Sequence, residues 1–531
     1  MDRRNFLKYS GILGAATAIT AGLAACGGGS SPSSSSSGSA VGTAKHPSGT
    51  ITATAAFQLS SGFDPMSASS AVATAINQHV FEPLVDLDPI TRKPFLALAK
   101  QEPTASSDGL TWTVKLREAK FSDGTPVTAD DVVWSFQRVL DPANKALVAA
   151  FVTFIDSVSA TDASTVTFTL KTPFPLFTQR IAVIKIVPKA QTATAALSKA
   201  FDSNPVGSGP FKVDSASATT GVVMSNNSLY NGSRPALVTQ IVMNTTPDDN
   251  ARLNDLVGGQ SQAIEAVPYL DVSTVSSKFQ VDKRQAFNLM FLMFNCSAPP
   301  FDDKRVRQAL FYAIDTDKVI KTALSGYGTA ATCYLDEANS AYQKAATVYG
   351  YDPAKAKSLL AAAGAQNLSF ELVTTNTAFI ANSAPVVLDS WKQIGVNATL
   401  NTKPSSAVYG ELVPSDSFRV LAASGDPSVF GPDADLLLRW YYYNSTWAQT
   451  RARWTDAAST RARSLIDQGA QQKGSAQAKT WKQVFDLVAD EVPLYPLYHT
   501  KTITGSDPSK LTNFHGAATT GLYFLGVGRK G

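Results

Sequence analysis

Apolar and polar residues alternate strictly along Leu110–Leu116, LTWTVKL, which is the period of a half-buried strand. Ser122, Asp123 and Gly124 follow with turn chemistry, because Asp bonds its own backbone and Gly tolerates positive φ. Thr128 stands three residues before Asp131, and Val132, Val133, Phe136, Val139 and Leu140 recur at helical spacing. That combination predicts a capped amphipathic helix starting at about Ala129. Strands are also predicted where β-branched residues alternate, over Ile51–Phe57 and Val166–Leu170, whereas Pro173–Phe177 is an apolar segment broken by proline.

The second half of the chain changes period. Phe287–Asn295, FNLMFLMFN, is almost continuously apolar, the pattern of a strand buried on both faces. Asp302 or Asp303 caps a helix that buries Val306, Ala309, Leu310, Ala313 and Ile314. Asp352 and Pro353 form the cap and first residue of a helix over Ala354–Ala363, and Gly364 stops it. A strand over Leu368–Val373, a helix over Val386–Ile394, Gly395 and a strand over Val396–Leu400 follow. This alternation argues for an α/β lobe with a largely parallel core.

The N-terminus belongs to neither pattern. Arg3 and Arg4 followed by Phe6, Leu7 and Lys8 resemble a twin-arginine export signal, and the apolar run after them is shorter than the roughly twenty residues that span a bilayer. Residues 1–25 are therefore expected to be a signal peptide. Leu23-Ala24-Ala25-Cys26 resembles a lipobox, whose cysteine thiol accepts a diacylglycerol and becomes the mature N-terminus. The Gly/Ser-rich stretch behind it cannot bury a core, so 26–48 is expected to be the lipidated Cys26 and a flexible tether. The rest of the 531 residues is too long for one core. The net charge of +4, without a basic tract, gives no support to nucleic-acid binding.

Catalytic patterns are scarce. S-x-x-K and H-E-x-x-H are both absent, and Ser208 lacks the G-x-S-x-G elbow. The four histidines, His46, His79, His499 and His515, are widely spaced. Gly526–Gly531 formally fits G-x-G-x-x-G but precedes no helix that would hold a pyrophosphate. No cofactor is expected. Beyond Cys26, the cysteines Cys296 and Cys333 are either a disulfide or two buried thiols.

Asp108–Val139, DGLTWTVKLREAKFSDGTPVTADDVVWSFQRV, resembles the signature of the family 5 extracellular solute-binding proteins, the peptide-type receptors of bacterial ABC importers. PVGSGPF at Pro205–Phe211, the Pro300–Asp315 segment and EVPLYPLY at Glu491–Tyr498 are similar to further strings of that family. The resemblance implies an α/β, two-lobed hinged periplasmic-binding-protein fold with an extra, mostly β subdomain inserted in the first lobe. It implies a first lobe built from 49–88, 201–293 and 493–531, the insertion at 89–200, and a second lobe at 294–492. The lobes would be joined by crossings near Asn295 and Pro493.

By the same resemblance the protein is not an enzyme. It is expected to be a monomer, held by its lipid anchor on the extracytoplasmic or periplasmic face of the cell membrane. It would bind a small solute, foremost a di- or oligopeptide, and deliver it to an ABC permease and its ATPase. A non-peptide solute such as a metal complex, sugar or other amine is the alternative within the family, and a secreted hydrolase the alternative of another class. Peptide-binding relatives carry an acidic residue in the loop matching Ala423–Asp435 that pairs with the ligand's α-ammonium. Asp426 is the closest match, Asp433 and Asp435 offer competing alignments, and an aspartate that only shapes a turn before Pro427 is the structural reading. The expected ligand-binding residues are Asp426, Gly425, Phe430 and Phe57, with Tyr441–Tyr443 either lining the cleft or packed.

Overall fold

The computed structural model describes residues 46–530 apart from 416 and 444. The export signal, Cys26 and nearly all of the tether lie outside the described residues.

Two long antiparallel strands, Gln280–Phe294 and Leu494–Ser506, form the middle of an 11-stranded sheet. Outward from Leu494–Ser506 run Ala263–Ile264, Thr50–Ala55, Gln240–Thr245, Gly221–Asn226 and Phe211–Ser217. Outward from Gln280–Phe294 run Val420–Gly425, Ser369–Thr375 and Asn397–Lys403. Thr50–Ala55 and Ser369–Thr375 are parallel to both of their neighbours. The largely parallel core expected for the second lobe is thus confined to its outer three strands, because Val420–Gly425 meets the central strand antiparallel.

The central ladder is not continuous. Gln285 pairs with Lys501 and Leu289 with His499, so Ala286, Phe287 and Asn288 stand opposite Thr500 alone. Such a bulge bends a strand and interrupts its hydrogen bonds. The buried run expected from Phe287 to Asn295 begins at this break, and the strand extends back through the half-exposed Gln280–Gln285. Asn295 and Pro493 lie beyond it at the far end of the pair, where the Phe294 N–H donates to the Pro493 carbonyl (2.9 Å) and the Asn295 N–H to that of Arg419 (2.9 Å).

The segment expected as an insertion carries its own four-stranded antiparallel sheet, ordered Thr104–Ala105, Thr111–Lys115, Thr165–Leu170, Ile155–Asp162. The helix Ala129–Leu140 packs on it through Val132, Phe136 and Val139. Its N-terminus is fixed by a reciprocal capping box: Thr128 N–H donates to Asp131 (2.9 Å) and Asp131 N–H to the Thr128 hydroxyl (3.4 Å). Cys296 and Cys333 are both free thiols, pushed up to about 12 mainly by burial.

Core contacts run differently from chain order. One apolar cluster joins the insertion to the second lobe, and another joins Ile51–Phe81, Phe211–Met243 and the C-terminal Leu511–Val527. His79 ties the helix Ala71–Val80 to that C-terminal segment. Its Nδ1–H donates to the Ala75 carbonyl (2.8 Å), and its Nε2 accepts the Phe524 N–H (2.9 Å).

Burial, only partly offset by the Ala75 carbonyl, holds the His79 pKa at about 4 rather than 6.5. The folded value lies below the unfolded one, so protonation favours the unfolded chain. The stability contributed by the neutral ring is full above pH 6.5 and is lost as pH falls towards 4, by up to about 3 kcal/mol. Urea unfolding at about pH 7 and about pH 4.5 is expected to show a smaller pH dependence for His79→Gln than for the wild type. Equal dependence would remove His79 from this role.

Candidate ligand-binding site

Asp426 ends the strand Val420–Gly425 and leads into the single turn Pro427–Val429. Its Oδ2 accepts the Thr519 hydroxyl (2.9 Å), the Thr520 N–H (2.8 Å) and the Thr520 hydroxyl (2.9 Å). Its Oδ1 accepts the Ser428 hydroxyl. Thr519 and Thr520 belong to the C-terminal segment that packs with the first-lobe core, so Asp426 bridges the two halves of the sheet. The next residue, Gly521, donates its N–H to Glu265 (2.7 Å), which also accepts the Ala56 N–H (3.0 Å). Burial pushes the Glu265 carboxyl up, and these two N–H groups pull it back.

Just after Asp426, Val429 and Phe430 form one wall of a void open to solvent, whose other wall comes from first-lobe and insertion residues; Asp426 itself does not line it. That other wall is polar. Lys185 donates to Asp86 (2.9 Å) and Gln78 (3.0 Å), and both charged side chains are buried. Arg92 lines the void and donates to the Ser428 carbonyl across it. Burial lowers the Arg92 pKa against the opposing pull of Tyr523, Asp426, Asp86 and Asp88.

Asp433 and Asp435 are committed elsewhere. The fully buried Arg180 of the insertion donates to Asp433 (2.6 Å) and Asp435 (2.9 Å), and Arg439 also donates to Asp435 (2.8 Å). Asp433 additionally caps the helix Ala434–Leu438 through the Leu436 N–H. The same contact stacks Phe151 of the insertion on Trp440 and brings it against Phe430.

Of the expected ligand-binding residues, Phe430 lines the void, and Asp426 stands four residues before it at the end of the preceding strand. Gly425 is adjacent, but its packing neighbour is Tyr441: a Cβ there would stand 1.8 Å from the Tyr441 hydroxyl. Phe57 is half-buried against the first-lobe core. Tyr441 and Tyr442 are buried in the second lobe, and Tyr443 bonds Asp467 and stacks beneath Arg439. Thr519, Thr520, Glu265 and Arg92 escaped sequence reading because their roles depend on partners brought together by the fold. Arg92 alone left a local trace, as the residue after the turn-forming Asp88–Thr91. Among the described residues no group of three or more His, Cys, Asp or Glu side chains is placed to hold a metal ion.

A sequence profile described as bacterial extracellular solute-binding proteins, family 5 Middle, matches residues 93–449. The chain is similar to the glutathione-binding protein GsiB of Escherichia coli (strain K12), 27% identical over 472 residues that cover 87% of this chain and 91% of that one. Its fold is similar to a dipeptide binding protein from Pseudoalteromonas sp. SM9913 solved with Met-Leu, at a TM-score of 0.80 and 20% identity, covering 91% of this chain and 100% of the other. It is likewise similar to the oligopeptide-binding protein AppA from Bacillus subtilis solved with a nonapeptide, at a TM-score of 0.81 and 22% identity, covering 91% and 99%.

Arg180→Met is expected to destabilise the fold by about 3–5 kcal/mol, because it strands the fully buried Asp435 and the Asp433 carboxylate without their shared partner. Chemical unfolding followed by tryptophan fluorescence measures this. A loss under about 1 kcal/mol would mean that Arg439 alone compensates Asp435.

Proposed function

This chain belongs to the bacterial extracellular solute-binding proteins of family 5, and on that premise we propose that it captures a small ammonium-bearing solute, foremost a di- or oligopeptide, in the cleft bordered by Asp426. Such proteins are transport receptors, so the hydrolase alternative falls. The solute passes to a membrane permease driven by an ATPase.

The observation that carries the reading is the setting of Asp426. Its carboxylate stands at the start of the turn whose Val429 and Phe430 line a solvent-open void, and it is bonded only by neutral hydroxyl and N–H donors. An ammonium can replace such donors. At Asp433 and Asp435 it would have to displace arginines. The ligands after which the relatives are named or with which they were solved, glutathione and Met-Leu, each carry an α-ammonium, which supports the same choice. Gly425 would serve by admitting Tyr441 and Phe430 by closing the void, while Phe57 would act from its half-buried place against the first-lobe core.

For the domain plan we retain the expected boundaries with one change. Bending is assigned to Ala286–Asn288 opposite Thr500, where the central ladder is already interrupted, rather than to Asn295 and Pro493. The receptor acts as a monomer. It is exported by the twin-arginine signal and anchored on the extracytoplasmic face through Cys26, a reading that rests on the motifs at Arg3–Lys8 and Leu23–Cys26.

Asp426→Ala is expected to weaken Met-Leu binding by about 2–5 kcal/mol, roughly thirty-fold to several thousand-fold. N-acetylated Met-Leu should bind the wild type poorly and discriminate little between wild type and variant. Calorimetry decides this, and binding within about threefold of wild type by a folded Asp426→Ala protein would sink the ammonium assignment.

The anchor is tested separately. Cys26→Ser should move the protein from the membrane pellet to the soluble fraction, since the Gly/Ser tether offers no apolar substitute for acyl chains. Retention in the pellet after a high-salt wash would refute lipidation as the anchor.

A further inference from the structure

The hairpin of Val85–Leu87 and Pro94–Leu96 carries Arg92 in its turn and is braced from the first lobe. Asp88 closes the turn by accepting the Ile90 and Thr91 N–H groups (3.1 and 2.6 Å), and its other oxygen takes the Arg234 guanidinium. That guanidinium also lies 4.0 Å from the centre of the Phe95 ring. Arg92 donates its own N–H to the Asp88 carbonyl (2.8 Å) and has φ of 59°, a conformation that favours glycine. Backbone strain of this kind concentrates at clamps and switch regions.

What the strained residue holds is the second lobe. Its guanidinium crosses the void and donates to the Ser428 carbonyl, in the turn Pro427–Val429. The acids of its own wall do not compete for it, because Asp86 is bonded to Lys185 and Asp88 to Arg234. The same serine is gripped again from the C-terminal segment of the first lobe. Ser428 is 6% exposed, and its hydroxyl stands 3.1 Å from that of Thr519. One short turn of the second lobe is thus seized from two sides, and every atom involved belongs to the protein. These bonds need no solute. Thr519 packs on the turn directly, whereas Arg92 spans the void between the walls.

We propose that Arg92 is a latch between the lobes: its bond to the Ser428 carbonyl holds the cleft shut and sets how long the receptor stays closed, whatever solute lies inside. The latch rests on bending at the break in the central ladder and on no assumption about the chemistry of the solute. A charge-assisted bond made only in the closed arrangement raises the closed fraction of the ligand-free protein as well as of the complex. A residue that merely touched the solute would leave the ligand-free protein unchanged.

Small-angle scattering without solute is the deciding measurement. Arg92→Gly is expected to have a larger radius of gyration than the wild type and a melting temperature no lower, because glycine relieves the left-handed backbone. Arg92→Lys, which keeps a charged donor, should fall between them. Release of Met-Leu, followed by stopped flow, should be about ten- to hundredfold faster from Arg92→Gly. Superimposable ligand-free profiles for wild type and Arg92→Gly overturn the latch even if release is faster, since contact with the solute would then account for the whole effect. Failure of Met-Leu to bind refutes the peptide reading, and the scattering still decides the latch. Compaction of Arg92→Gly on adding Met-Leu shows the bending by itself, so the joint and the latch are tested separately.

Discussion

The hydrogen-bond ladder between Gln280–Phe294 and Leu494–Ser506 is the constraint on which the rest of the structure depends. A sheet that runs through two lobes welds them together, since buried backbone N–H and C=O groups must stay paired. Lobes can turn on such a connection only where pairing is already given up. Here three residues face one, and the gap is bridged by side chains: the Asn288 carboxamide donates to the Thr500 hydroxyl at 3.0 Å. Side-chain bonds reorient more readily than a ladder. The ladder slips again between Met290, opposite Tyr498, and Phe291, opposite Pro496, so the softened stretch extends to there, and on the proposed reading it is the joint on which the receptor closes around a solute.

Closing brings charged groups out of water, and the protein deals with each in a different way. Arg180, Asp433, Asp435 and Arg439 form a fixed network between the insertion and the second lobe, with the Arg180 and Asp435 side chains fully buried. Lys185 and Asp86 neutralise each other within one wall of the void. Arg92, on the wall of the void, and Asp426, before the turn that faces it, have no opposite charge bonded to them.

Legibility in the sequence followed the range of the interactions concerned. The helix Ala129–Leu140 was readable to the residue, because its cap and its apolar face are set by neighbours within four positions. The helix expected from Val386 begins instead at Ala378, and Pro385, which argues for a boundary, lies inside it. The buried surface of Ile380, Ser383, Ala384 and Val387 outweighs the lost backbone bond there. The π-helical turns over Arg439–Tyr443 and Ser445–Arg451 had no local signature. Asp426 was singled out by resemblance alone, and the groups that define its chemistry, Thr519 and Thr520, stand 93 and 94 residues away. Arg92 reads as an ordinary hairpin residue until the second lobe is laid across it.

With Asp426 as the proposed partner of the solute's ammonium, competition at its carboxylate would set which solutes the cleft favours. An unpaired carboxylate in a closed cleft would cost the desolvation of an ion, and the Thr519, Thr520 and Ser428 donors remove that cost before any solute arrives. A solute offering only hydroxyl or amide donors exchanges like for like and gains little. An ammonium replaces neutral bonds with charge-assisted ones, roughly twice as strong, and so passes a threshold that the protein's own hydroxyls set. Asp433 and Asp435 have no such selectivity to offer, because Arg180 already holds them by bonds of the stronger kind. On the proposed reading the discriminating carboxylate is the one whose resident partners are weak.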